Sequence, residues 1–375
     1  MIWVGSATEL DRLLGVLRDA PLVAIDTEAD SLHSYFDKVC LMQITAAGED
    51  WIVDPLAGFP MGPIGEILGA PGIVKVFHGA DYDLRILNRD FGFEIHNLRD
   101  TMICAQLLGY SGIGLAALLD RHFGVKVNKA HQRADWSQRP LTPDMLRYAA
   151  NDTHYLAELV AKLEAELRDK GRWEWALEEF SRLEQIRHTE SEPDPESFRK
   201  LKNIGRFSRR QLAALARLHA WRDQAARHAD RPPFKIVGNE ALVAIAELLP
   251  QSLRELKQIR GMTAGQAGRH GQGILDAVAA ALALAEDELP EVVAKKQWIR
   301  DKTIEQKVDR LRAVRDEIAK SLGIDPGVLA PRHVLATIAT DRPSEAAALA
   351  AIPAMRRWQI DVACEQLVSA IQATL

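Results

Sequence analysis

Cysteine is scarce in this chain. Cys40, Cys104 and Cys364 are the only three, and no two stand as C-x-x-C. That excludes a disulfide framework and a thiolate zinc site. Long hydrophobic runs are missing too: none approaches the roughly 18 apolar residues of a membrane span. The N-terminal Met1-Ile2-Trp3-Val4-Gly5 lacks the charged and apolar regions of a signal peptide, so a cytoplasmic protein is expected. Apolar residues are not in short supply. At 47% against 26% charged they exclude a largely disordered chain, and 375 residues suffice for two or three domains.

The net charge of −5 hides an asymmetry. Residues 1–150 carry 13 Lys/Arg against 19 Asp/Glu, whereas residues 199–276 carry 15 against 6. An acidic front joined to a basic middle suggests a polyanionic partner, although a solvated helical surface would look the same.

The first third alternates strand and helix patterns. Leu22-Val23-Ala24-Ile25, Val39 to Ile44 and Trp51-Ile52-Val53 read as strands of a meander, and Ile73 to Phe77 as a further strand leading into a helix over about 81–88. From Asp100 the periodicity is helical, including one long segment from Thr142 to about Leu167 with Pro143 in its first turn. This predicts an α/β domain with a mixed sheet. A polar, proline-bearing connector, Glu190-Ser191-Glu192-Pro193-Asp194-Pro195-Glu196, separates it from an all-helical remainder. There a gapless shift of 93 residues superposes Arg222-Asp223 on Arg315-Asp316, Leu242 on Leu335 and Pro250 on Pro343, which marks two copies of one helical module. The expected domains are 1–195 with the connector, 205–287 and 295–375.

Asp26 and Glu28 end an apolar strand pattern, and alternate strand residues share a face. Tyr148 and Asp152 stand at i and i+4 on a helix, side by side. In His78-Gly79-Ala80-Asp81-Tyr82-Asp83 a strand opens into a helix, with Asp81 as a possible N-cap and Asp83 in the first turn. Each signal alone fits an ordinary solvated pair. Four carboxylates converging together supply the hard oxygen ligands that suit Mg²⁺ or Mn²⁺. Two such ions can clamp the attacking and leaving oxygens of a phosphodiester.

Asp26-x-Glu28, Asp83 and Tyr148-x-x-x-Asp152, in that order and spacing, resemble the DEDD 3′–5′ exonucleases in their tyrosine-bearing branch. The other branch has a histidine five residues before the last aspartate, where this chain has Arg147. Val76-Phe77-His78-Gly79-Ala80, Asp100-Thr101 and Asp135-Trp136-Ser137-Gln138-Arg139-Pro140-Leu141 match as well. The tandem helical modules resemble HRDC domains, the second a weaker match than the first. The whole order is similar to the bacterial ribonuclease D family.

The resemblance implies an RNase H-like exonuclease domain followed by two all-α HRDC-like domains. It also implies hydrolysis of RNA from the 3′ end to nucleoside 5′-monophosphates, with tRNA precursors as the expected substrate and two divalent ions as cofactors. In that scheme Asp26 touches both ions, Glu28 and Asp152 complete one site, and Asp83 serves the other. Tyr148, with a phenol pKa of about 10, needs only to orient the attacking water. His78 is expected at the terminal nucleotide or as a satisfied turn histidine. Trp136 and Arg139 are expected to stack on a base or bind phosphate, with a core position the alternative for Trp136. Asp100 is expected as a helix cap or as support behind the ligands, and Gln43 as a substrate contact from a neighbouring strand. The same chemistry on DNA, and a non-catalytic nucleic-acid-binding protein, are the competing readings.

At the shift of 93, Arg231, Lys235, Arg254, Lys257, Arg260 and Arg269 face Ile324, Val328, Ala347, Ala350, Pro353 and Val362. The first copy is therefore expected to bind RNA, through Lys257 and Arg260 among others. The second is expected to pack against the rest of the protein, burying Ala350 and Val362.

Overall fold

The computed structural model describes residues 1–127, 130–190, 192, 194–292 and 301–373. Ser191 and Pro193 of the expected connector, and the expected start of the last domain at 295, lie outside the described residues. The chain gathers into two compact units. One is formed by Met1–Ala29, Val39–His188 and Arg300–Leu375, the other by Asp30–Lys38 and Thr189–Ile299.

The first unit is built on a six-stranded sheet of order β1-β4-β3-β2-β5-β6. Its strands are β1 (Ile2–Val4), β2 (Leu22–Ala29), β3 (Val39–Ala46), β4 (Glu49–Val53), β5 (Val74–Phe77) and β6 (Leu98–Asp100). The meander β2-β3-β4 is antiparallel as expected, and the remaining pairings are parallel. Strands β1 and β6, three residues each, are too short to show a period in sequence.

Helices α1 (Ala7–Asp19), α2 (Gly62–Gly69), α3 (Asp81–Phe91), α4 (Thr101–Leu108) and α5 (Leu115–Phe123) follow the strands or link them. The Ser6 hydroxyl caps α1, which buries Leu10, Leu13, Leu14 and Leu17 at helical spacing. The segment expected as one helix is two, α6 (Pro143–His154) and α7 (Leu156–Asp169), parted at Tyr155. The break lets two apolar stripes face different partners. Ala149 and Ala150 of α6 pack with Leu41 and Ile52, whereas Leu156, Leu159, Leu163 and Leu167 of α7 enter the main core. Helix α8 (Trp173–Leu183) completes this part.

The repeat is exact in its element starts. Helices α9 (Arg209–His228), α10 (Pro233–Ile236), α11 (Asn239–Leu248), α12 (Leu253–Leu256) and α13 (Ala264–Leu282) recur 93 residues on. The second set is α14 (Lys302–Leu322), α15 (Pro326–Leu329), α16 (Arg332–Asp341), α17 (Ala346–Ala350) and α18 (Arg357–Gln372). Arg222 and Arg315 are both buried, each donating from Nη1 to a carbonyl 15 residues ahead, that of Val237 and that of Ala330. Leu249 and Arg342 both take a left-handed conformation before the matched prolines. In the first copy the Ser252 hydroxyl caps Glu255 as the sequence suggested, but the Glu255 carboxylate accepts from Gln251 rather than closing the box.

The two copies have different surroundings. The second lies in the same compact unit as the sheet. Carboxylates of α8 hold the N-terminus of α18: Glu178 accepts from the Arg357 and Trp358 amides, and Glu179 pairs with Arg356 and takes the Trp358 indole N–H at 3.0 Å. Trp175 and Trp358 stack at 4.6 Å. At Gly109 (φ +78°) a Cβ would lie 1.6 Å from the Gly323 carbonyl oxygen, an approach only glycine permits. Ile324 and Val328 pack into this core, and Val362 is partly buried. Ala350 is exposed, which corrects the expectation that it is covered; α17 turns that side to solvent. In the second unit, the segment 30–38 joins the first copy, with Tyr35 donating its hydroxyl to Asp223 at 2.8 Å and the Tyr35 and Phe36 amides donating to Asp230. Among the described residues no helix is long and apolar enough to cross a membrane.

Candidate active site

Asp26 and Glu28 occupy the end of β2 and, by strand alternation, point to one face. The ladder pairs Asp26 with Gln43 and Glu28 with Leu41, then slips between Glu28 and Ala29. Helix α6 covers this face. The Thr142 hydroxyl accepts from the Met145 amide to start it, and Pro143 occupies its first turn, where no N–H is needed. The Thr153 hydroxyl meets that of Thr45 at 2.7 Å and fastens α6 to β3. Tyr148 and Asp152 thereby stand over β2. Ligand atoms of Asp26, Glu28 and Asp152 all lie within 4.8 Å of one another.

Asp83 arrives from the first turn of α3, where the helix dipole favours its charge. It is buried, and the Thr27 hydroxyl donates to its Oδ1. Asp81 opens α3 and pairs with Arg85 instead of capping; the cap position belongs to Ala80. Asp100 fixes the approach. Its carboxylate accepts from Gly79 at 3.0 Å and Ala80 at 2.8 Å, and also caps α4 through the amides of Met102 and Ile103. One buried side chain thus ties the turn before Asp83 to the next helix, which joins the two roles expected for it.

Burial and mutual repulsion dominate the electrostatics. Asp26 is held well above the usual carboxylate range by burial first, then by Asp83, Asp152 and Glu28. Glu28 is pushed up to about 9 by burial, with Asp152 and Asp83 adding to it. Asp83 rises to about 7 through burial, which its Thr27 hydrogen bond only partly opposes. Asp152 rises to about 7 through burial. The Tyr148 phenol is raised by burial and then by Asp152, Glu28 and Asp26. Such a cluster must hold protons or a cation to be tolerated. Its donors are all carboxylate oxygens, which fits a hard divalent cation such as Mg²⁺ or Mn²⁺.

The other expected site residues divide. His78 joins Nδ1 to the Thr101 hydroxyl at 2.9 Å, and its buried Nε2 has no partner among the described residues. Burial lowers its pKa. Trp136 is 1% exposed and packs in the cluster of Leu41, Ile52 and Met145, so it offers no ring face to a base. It lies 6.0 Å from the Tyr148 ring, with His131 edge-on to that ring at 5.8 Å. Arg139 is consumed by structure. It grips Asp54 at 2.6 and 2.8 Å and donates to the carbonyls of Trp136, Gln138 and Cys40, which corrects its expected role at phosphate. Gln43 is buried beside Asp26, which leaves it no contact with a substrate in solvent reach. Lys257 and Arg260 are exposed in the second unit, where Arg260, Lys200 and Lys202 line a cavity of about 710 Å³. Thr27 and His131 carry no sequence signal. Strand alternation even turns Thr27 away from Asp26, and only the placement of α3 brings Asp83 to it.

Comparison with known proteins completes the picture. A family model described as 3′-5′ exonuclease matches residues 1–168, and one described as HRDC domain matches 211–278 and 305–371. The chain is 36% identical over 299 residues to ribonuclease D of Gluconacetobacter diazotrophicus, covering 78% of this chain and 76% of that protein. It is 30% identical over 334 residues to ribonuclease D of Pseudomonas paraeruginosa, covering 89% and 88%. The crystal structure of Escherichia coli RNase D, described as an exoribonuclease involved in structured RNA processing, superposes with a TM-score of 0.71 at 26% identity, covering 99% of this chain and 98% of that one.

Proposed function

The chain belongs to the ribonuclease D family of 3′–5′ exonucleases, and from that we propose that it trims the 3′ ends of tRNA precursors and other small RNAs in the cytoplasm, using two divalent ions held by Asp26, Glu28, Asp83 and Asp152. The observation that carries this reading is the set of carboxylate oxygens of Asp26, Glu28 and Asp152 within 4.8 Å of one another, with Asp83 raising the charge of the same cluster. We assign 1–195 to the exonuclease domain with its connector, 205–287 to a first HRDC domain and 295–375 to a second.

Divalent cations bound there lower the pKa of water and offset the charge of a phosphodiester under attack. The protein's own contributions are positional. Asp26 would reach both ions, Glu28 and Asp152 would complete the site that binds the attacking water, and Asp83 would serve the other. The Tyr148 phenol, kept protonated by burial and its acidic neighbours, can only donate or accept a hydrogen bond. Its assigned role is to orient the attacking water, with Trp136 and His131 fixing its ring. Tyr148→Phe should lower kcat by about 10²-fold, the usual cost of one transition-state interaction, with Mn²⁺ affinity unchanged. Weaker Mn²⁺ binding by this variant in calorimetry would reassign Tyr148 to the metal site.

Arg231, Lys235, Arg254, Lys257, Arg260 and Arg269 of the first helical copy, all exposed, are assigned to the body of a structured RNA. Phosphate contacts release counterions, so their share of affinity falls with salt. Reversing charge at Lys257 and Arg260 should weaken tRNA binding and reduce the slope of log K against log salt by about one unit per lost contact. Cleavage of a short unstructured oligonucleotide should barely change. Digestion of 3′-labelled RNA and DNA, with and without EDTA, tests the reading as a whole: metal-dependent release of labelled mononucleotide from RNA supports it, and preference for DNA or no release removes it.

A further inference from the structure

Gln43 is a buried group in the catalytic face whose place the chemistry above does not explain. It is 0% exposed in β3, and neither its Nε2 nor its Oε1 has a hydrogen-bond partner among the described residues. A buried amide left unsatisfied loses its hydration with nothing in return, and an apolar side chain of the same shape would avoid that cost. The surroundings otherwise suit such an apolar residue. Ile52 stands across from Gln43 on β4, and Leu41, on the same face, packs with Met145, Ala149 and Ala150 of α6.

Geometry names the group the amide serves. Gln43 is paired directly with Asp26 in the antiparallel ladder, and opposed residues share a face with Cβ atoms about 5 Å apart. Thr45, two residues along β3 and on that same face, reaches Thr153 of α6. Gln43 is therefore closed in between Asp26, Ile52 and α6, with Asp26 its polar cross-strand neighbour. We propose that Gln43 is a positioning residue for Asp26: its Nε2–H, without a partner in the metal-free chain, donates to one oxygen of the Asp26 carboxylate when a cation draws the other oxygens of that cluster into place. A carboxylate that ligates through one edge leaves lone pairs on the other; the Thr27 amide meets one of those on Asp26, and Gln43 is the buried donor opposite it in the ladder that can meet another.

This inference rests on the metal assignment above and makes an unusual pair of demands. Removing the amide should help the metal-free fold and harm the metal-loaded one. Gln43→Met keeps the length and removes the polar atoms. Its melting temperature in EDTA should equal or exceed that of the unsubstituted protein, while its Mn²⁺ affinity by calorimetry falls about 10-fold or more, the usual cost of losing a hydrogen bond behind a metal ligand. Its kcat should fall by a similar factor with KM for RNA within about twofold. Gln43→Leu gives the same comparison should the Met variant not fold. Unchanged Mn²⁺ affinity in a folded Gln43→Met protein, or a fall in its EDTA melting temperature with metal binding intact, would overturn the proposal and make Gln43 a packing residue. Absence of metal-dependent RNA cleavage by the unsubstituted protein would instead remove the reading on which the proposal rests.

Discussion

Asp26→Asn should cut the rate of RNA hydrolysis by about 10³-fold or more, about 4 kcal/mol of transition-state stabilisation, while leaving a protein that melts no lower than the parent in EDTA. The two halves of that expectation have one cause. Asp26 sits among Asp83, Asp152 and Glu28, each of which pushes its carboxyl toward the neutral form. An isosteric amide needs no proton to stay neutral, so the cost of keeping that carboxyl protonated disappears and the metal-free fold gains. The same change removes the one ligand assigned to both ions, and with it the hold on the attacking and the leaving oxygen together. Loss of activity with loss of stability would be uninformative; loss of activity with stability kept or raised points to the site. RNA affinity in EDTA should also survive, because the cations assigned to RNA lie in the other compact unit. Single-turnover rates, thermal melting and RNA binding on the same preparation make the check. A variant retaining more than a few per cent of the parental rate would falsify the assignment of Asp26.

The carboxylate set was legible because each member sits in a local pattern that survives translation into structure. A short apolar run ending in Asp-Thr-Glu becomes the end of a strand, and Tyr-x-x-x-Asp becomes one face of a helix. The repeat was legible for the same reason, since a fixed offset needs no knowledge of tertiary contacts. What failed depended on partners far away in sequence. Arg139 reads as a free cation until Asp54, 85 residues earlier, takes both sides of its guanidinium. Trp136, flanked by Asp135 and Ser137, gives no period to mark it as core, yet it fills the space under α6. Lys75 in the middle of β5 is a stronger case. It is fully buried, and it donates to the carbonyls of Ala70 and Ile73, which only the chain's return at the head of the strand brings within reach. Ala350 shows the converse limit: an apolar substitution in a repeat signals loss of a cation, not burial.

Metal and pH should act on stability in opposite directions, and the size of the effect makes it the second decisive measurement. Carboxylates in an unfolded chain titrate near pH 4. In the folded, metal-free protein Asp83 and Asp152 titrate at about 7 and Glu28 at about 9, so over the interval from about 4 up to those values the folded state holds protons that the unfolded state has released. Stability must then fall as pH rises through that interval, with no contribution from these groups below about 4 and their full cost above about 9. Lys75 works the other way: burial brings it down to about 8, so above that value the folded state binds fewer protons than the unfolded one and stability recovers slightly. A divalent cation replaces the protons and competes best where they are lost. Its stabilisation grows with the ratio of free ion to dissociation constant, and that constant tightens as the carboxylates ionise. Melting curves in EDTA should therefore slope downward from pH 5 to pH 9, and excess Mg²⁺ should change little at pH 5 yet raise the melting temperature by several degrees at pH 9. The double variant Glu28→Gln, Asp152→Asn should flatten the EDTA slope and abolish the Mg²⁺ response, and EDTA should stop RNA cleavage by the parent protein at every pH. A Mg²⁺ shift of the same size at pH 5 and pH 9, or one that survives the double variant, would place the cation away from Asp26, Glu28 and Asp152, because only a site made of their oxygens couples ion binding to these protons.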